Sequence, residues 1–107
     1  MAEPTVLELT GRIDNVTAAD MEAKINAALD GSPSALVLDL SGIAFVSSIG
    51  LRVLLMAAKR CRKQNAGLAL HSVAPAIVDL FNLSGLKAFF PIYEGRDAAI
   101  AAVTAAG

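Results

Sequence analysis

The segment Ala35-Leu-Val-Leu-Asp-Leu40 is apolar at five of its six positions, with no alternation of polar and apolar residues. A strand with one wet face alternates, so a run like this belongs to a strand covered on both sides. Such strands occur in parallel sheets flanked by helices, and the rest of the chain supplies them. Leu51, Leu54, Leu55, Ala58 and Cys61 follow at i, i+3, i+4 and i+7 spacing, the stripe of an amphipathic helix.

The remaining elements fall on either side of this pair. Val6 to Leu9 reads as a short strand ending at Thr10-Gly11. Thr17-Ala-Ala-Asp20 looks like a capping box, with Met21, Ile25, Ala28 and Leu29 at helical spacing behind it. Asp30-Gly31 and Pro33 stop that helix. Ser47 or Ser48 caps the long helix, and Lys59, Arg60, Arg62 and Lys63 suit the negative end of its macrodipole. Their bland role is a solvated helix end, and the alternative is a site for an acidic partner. Asn65 to Gly67 ends the helix.

Leu68 to His71 predicts a third strand, and Ser72 with Pro75 opens a shorter helix through Ile77, Val78, Leu80 and Phe81. Ser84-Gly85 is a turn. Ala88 to Tyr93 predicts a fourth strand, with Pro91 marking an edge or a bulge, and Arg96 to Ala106 a terminal helix. Strands alternating with helices give an α/β domain, one unit over residues 1–107, with right-handed crossovers. The sheet is mainly parallel, with four to five strands and about four helices.

Composition removes several functions. One cysteine (Cys61) cannot form an internal disulfide or a thiolate metal cluster, and one histidine (His71) cannot supply a metal site by itself. Nine basic and ten acidic residues leave no charge footprint for nucleic acid. No stretch approaches the roughly 20 apolar residues of a membrane span. The start, Met1-Ala-Glu-Pro, has no signal-peptide pattern, so the chain reads as cytoplasmic.

The carboxyl edge of the sheet, where α/β proteins meet ligands, collects Asp14, Asn15, Asp39, Ser41, Ser47 and Ser48. These are acids and hydroxyls without a base. A His71–Ser72 contact is conceivable, but a nucleophile needs a base and an orienting third group. Two serines where a cap needs one, followed by Gly50 in the first helical turn, fit close approach of something to the backbone there. Cys61 lies on the apolar stripe as a small core residue, and His71 reads as a strand-end residue with a satisfied hydrogen bond.

The stretch Asp39-Leu-Ser-Gly-Ile-Ala-Phe-Val-Ser-Ser-Ile-Gly-Leu-Arg-Val-Leu-Leu55 resembles the signature of the STAS family of anti-sigma-factor antagonists. Gly11-Arg-Ile-Asp14, Leu83-Ser-Gly-Leu86 and Phe90-Pro-Ile-Tyr93 resemble other segments of that family in order and spacing, so the likeness covers nearly the whole chain. It implies phosphorylation at Ser48, with Ser47 as the alternative acceptor. The resemblance carries over Asp14 and Asp39 as well, and the partner surface is expected to comprise Asp14, Asn15, Asp39, Ser47, Ser48, Ile49, Gly50 and Arg52.

In that family the unphosphorylated antagonist binds a serine-kinase anti-sigma factor and frees the sigma factor. The kinase, using its own ATP, phosphorylates the antagonist, and a PP2C-type phosphatase reverses it. The antagonist is no enzyme and holds no cofactor. Its surface here is expected to be acidic through Asp14 and Asp39, and its state a monomer or weak dimer.

There are departures. Many members have Asp where this chain has Ser47, a smaller residue where it has Ile49, and Gly where it has Arg52, which either reaches one turn back toward a phosphate or faces solvent. The family's first strand, ahead of Val6 to Leu9, is shortened or missing, leaving an edge open to another chain. Two other readings compete: a STAS subunit of a membrane transport system docking a transporter ATPase, and a nucleotide-binding or weakly hydrolysing domain, which lacks a Gly-rich cradle.

Overall fold

The computed structural model describes residues 3–105, and the residues at Met1 and Ala106 used above lie outside them. The elements are β1 (Pro4–Ile13), α1 (Ala18–Asp30), β2 (Ala35–Val46), α2 (Ser48–Lys63), β3 (Gly67–His71), α3 (Pro75–Leu83), a 3₁₀ turn (Lys87–Phe89), β4 (Ile92–Tyr93) and α4 (Arg96–Ala105). The four described strands are all parallel, in the order β1-β2-β3-β4. It is a single α/β domain, as the alternation predicts.

This order steps one way across the sheet. Right-handed crossovers then place α1, α2 and α3 on one face. The packing agrees: Leu36, Leu38 and Leu40 join the buried side chains of those three helices. Val37 and Ala69 point the other way and meet Ala99, Ile100 and Val103 of α4. Thus β2 is buried on both faces from Ala35 to Leu40, as its apolar run requires. The described strand order never reverses, so it forms no crevice of the kind found at a switch point.

Several predicted elements shift. β1 and β2 are longer than expected and run on together to Ile13 and Val46 as a two-stranded arm beyond the ends of β3 and β4. Segment 41–46, beyond the strand expected at Ala35 to Leu40, is strand as well. Two bulges on β2, opposite Glu8/Thr10 and Gly11/Arg12, break the period of two and disguise it. The fourth strand contracts to Ile92–Tyr93. Phe90 turns inward onto Phe81, with ring centroids 4.7 Å apart, and the preceding residues close a 3₁₀ turn.

The capping box at Thr17 does not form. Its hydroxyl donates to the Arg12 carbonyl at 2.6 Å and accepts the Asp14 N–H at 3.1 Å, so it faces the strand end. Ala74, not Ser72, precedes the first residue of α3, with Pro75 at the N-terminal position its ring favours. After α1 the left-handed residue is Ser32 (φ 53°) and not Gly31.

Candidate functional site

The tip of the β1–β2 arm carries the start of α2. Val46 ends β2, Ser47 follows at once, and the Ser47 N–H donates to the Ile13 carbonyl at 2.9 Å. The Ser47 side chain accepts the Gly50 N–H at 3.1 Å, so it is the helix cap. Ser48 stands beside it, exposed, with no hydrogen bond to its hydroxyl among the described residues. One serine is structural and the other is available. Ser47→Ala is therefore expected to cost about 1 kcal/mol in denaturant unfolding, and Ser48→Ala almost nothing.

Gly50 is buried and pressed against β1. A Cβ there would lie 2.3 Å from the Ile13 carbonyl oxygen and 2.9 Å from its Cγ2. The close approach inferred from the sequence is real, but what approaches is the domain's own strand.

Asp14 follows β1 and builds the turn into α1. Its Oδ1 accepts the N–H groups of Val16 (2.9 Å) and Thr17 (3.2 Å), and Arg12 Nε sits 3.2 Å from Oδ2. The two backbone donors, Val16 first, hold its carboxyl below the usual value, and Arg12 adds to them. Arg12 also lies over the Phe45 ring, 4.3 Å from its centroid. Asn15 is exposed beside it.

Asp39 is elsewhere. It shares the face of Val37, under α4, while α2 lies on the opposite face. It is only 6% exposed, accepts the Ser41 N–H at 2.9 Å and meets Arg96 Nη2 at 3.5 Å. The expected acidic surface is therefore absent: the Asp39 charge is buried and paired, and that of Asp14 is answered by Arg12.

Burial raises the Asp39 pKa, but the hydrogen bonds from Ser41, the neighbouring His71 and Arg96 outweigh it and lower the value. With folded values depressed, both carboxylates contribute stability that is complete above the unfolded value of 3.8 and lost as pH falls through the lower folded value. Melting temperature should drop below about pH 4, less steeply in Asp39→Asn.

His71 is buried, its Nδ1 2.9 Å from the Ser72 hydroxyl, which in turn donates to the Glu94 carbonyl at 3.3 Å. The Ser72 contact is as expected, but Nε2 is buried without a partner among the described residues. Cys61 is a core residue whose thiol burial pushes up to about 11. In the basic cluster, Arg60 is not merely solvated: it ties α2 to α1 through Asp30 (2.6 Å) and the Asn26 side chain (3.0 Å).

The sequence reading missed the apolar surroundings of Ser48. Val16, Phe45, Ile49 and Met56 are all exposed, and Val16 is 80% so. Val16 and Phe45 flank the arm's tip, while Ile49 and Met56 repeat at i, i+7 on the outer side of α2. Ile49, Val53 and Met56, with Ala18, Glu22 and Arg52, line an open groove of about 420 Å³ between α1 and α2. The visible signal was a second apolar stripe on α2, off the buried one. No helix among the described residues is long and apolar enough to cross a membrane.

Comparison with known proteins bears on the family and the fold. The family described as "Mlab, STAS domain" matches residues 2–92. The chain is 36% identical over 94 residues to BtrV of Bordetella bronchiseptica, named as an anti-sigma factor antagonist, covering 88% of this chain and 81% of that protein. The crystal structure of an anti-sigma factor antagonist from Mycobacterium paratuberculosis superposes with a TM-score of 0.85 at 37% identity, covering 94% and 86% of the two chains. A sulfate transporter family protein from Wolinella succinogenes has a TM-score of 0.82 over 95% and 85% of the chains, but at 17% identity this is a likeness of fold alone.

Proposed function

The chain belongs to the STAS-domain family of anti-sigma-factor antagonists, and from that premise we propose that it is a partner-switching protein controlled at Ser48. Unphosphorylated, it docks on a serine-kinase anti-sigma factor in the cytoplasm and releases the sigma factor. The kinase transfers the γ-phosphoryl group of its own ATP to the Ser48 oxygen, and docking ends. A PP2C-type phosphatase restores the first state. The chain is then a substrate of enzymes, with no direct contact to nucleic acid.

The observation that carries this reading is the division of labour between the two serines: Ser47 caps α2, while Ser48 is exposed and uncommitted. A phosphate at the first residue of a helix adds about −1.5 to −2 charges where free amides and the dipole tolerate an anion. The fold bears it. Docking does not, because the exposed apolar side chains around Ser48 have to be desolvated against the partner beside the new dianion.

Incubation with candidate serine-kinase anti-sigma factors and ATP, followed by mass spectrometry, tests it. Phosphate is expected on Ser48 and absent from Ser48→Ala. Phosphate on Ser47, or on neither serine with any such kinase, contradicts it.

A further inference from the structure

We propose that Arg52 is the internal counter-ion of a phosphate on Ser48, so that modification draws a guanidinium away from the groove rim as well as adding negative charge. The inference rests on the Ser48 reading above and concerns how the phosphate is held.

The chain has five arginines, and four are engaged. Arg12 pairs with Asp14 and covers Phe45, Arg60 pairs with Asp30, Arg96 meets Asp39, and Arg62 lies 5.5 Å from the Phe89 ring centroid. Arg52 is exposed and has no ion pair, hydrogen bond or aromatic partner among the described residues. It stands four residues after Ser48 in α2, and side chains at that spacing share one face of a helix. Helical side chains lean toward the N-terminus, so the stem of Arg52 covers the turn where Ser48 begins the helix.

A planar guanidinium matches a phosphate with two parallel hydrogen bonds. In the unmodified protein Arg52 instead rims the α1–α2 groove beside Ile49, Val53 and Met56. There its charge is offered to an acidic group of the docking partner. The phosphate competes for it from within the chain.

The test installs phosphoserine at position 48 during translation, so no kinase is needed, and follows the ³¹P resonance through its second ionisation. In the Arg52 protein the midpoint should lie about 0.4 below that of Arg52→Gln, whose phosphate keeps only the help of the helix amides and dipole. The gap should narrow in high salt. The Arg52 Nε–H signal should move with the same midpoint. The amide spectrum of unmodified Arg52→Gln, expected to match the parent, reports on the fold. Coincident titration curves would overturn the proposal while leaving Ser48 as acceptor intact. A kinase that ignores Ser48 would sink the switch reading and leave the titration unaffected.

Discussion

Gly50→Ala is expected to destabilise the domain by about 3 kcal/mol or more and lower its melting temperature by roughly 12–24 °C. Alanine ordinarily favours a helix over glycine by up to about 1 kcal/mol, so propensity alone predicts the opposite sign. Sterics decide. The added carbon would sit 2.3 Å from the Ile13 carbonyl oxygen and 3.0 Å from its carbonyl carbon. That backbone cannot turn aside as a side chain would, and the same oxygen receives the Ser47 N–H. Relief requires lifting the start of α2 off the β1–β2 arm, which would also displace Ser48. Gly31→Ala is the control: its nearest new contact is an ordinary 3.5 Å, its φ is −75°, and stability should hold or rise slightly. Thermal melts followed by circular dichroism separate the two. A Gly50→Ala protein melting within a few degrees of the parent would show that α2 is not seated on the Ile13 carbonyl.

The second large effect is on binding. Phosphorylation of Ser48 should weaken affinity for the kinase anti-sigma factor by at least about 100-fold, equivalent to about 2.7 kcal/mol. Ser48→Asp should weaken it in the same direction by less, since it brings one charge and less bulk. Ser48→Ala should bind as tightly as the parent and resist the switch. Part of the loss is electrostatic and will soften with salt. The part due to bulk and desolvation will not. Amide shifts should change around Ser48 and the α1–α2 groove and stay fixed in α4, which lies across the sheet. Widespread shifts would point to a conformational relay instead.

The sequence made the layout legible where burial was simple. Ala35 to Leu40 is covered on both sides, and nothing interrupts its run. Leu51, Leu54 and Cys61 keep strict helical spacing because α2 rests one face on the core. Legibility failed where tertiary geometry overrode local pattern. The bulges on β2 add residues that scramble alternation, so 41–46 lacks the pattern of a strand. Phe89 and Phe90 have strand-like composition, but the pull of Phe81 folds them into a turn. Asp39 was legible as a polar residue near a strand end, yet its face depends on parity with Val37, and that puts it under α4. At the tip, the pair of serines was visible, but only the hydrogen bond to Gly50 shows which one is spent. Exposed apolar residues at Val16, Phe45 and Met56 could not be told from core residues until the fold left them outside.

The central claim is that one phosphate ends docking without disturbing the domain. Calorimetric titration of the purified kinase anti-sigma factor with the unmodified protein and with the Ser48-phosphorylated protein, paired with thermal melts of the same two samples, tests it most directly. The prediction is an affinity loss of about 100-fold or more with melting temperatures within a few degrees of each other. Equal affinities, or a phosphorylated domain that has lost its cooperative melt, would contradict it.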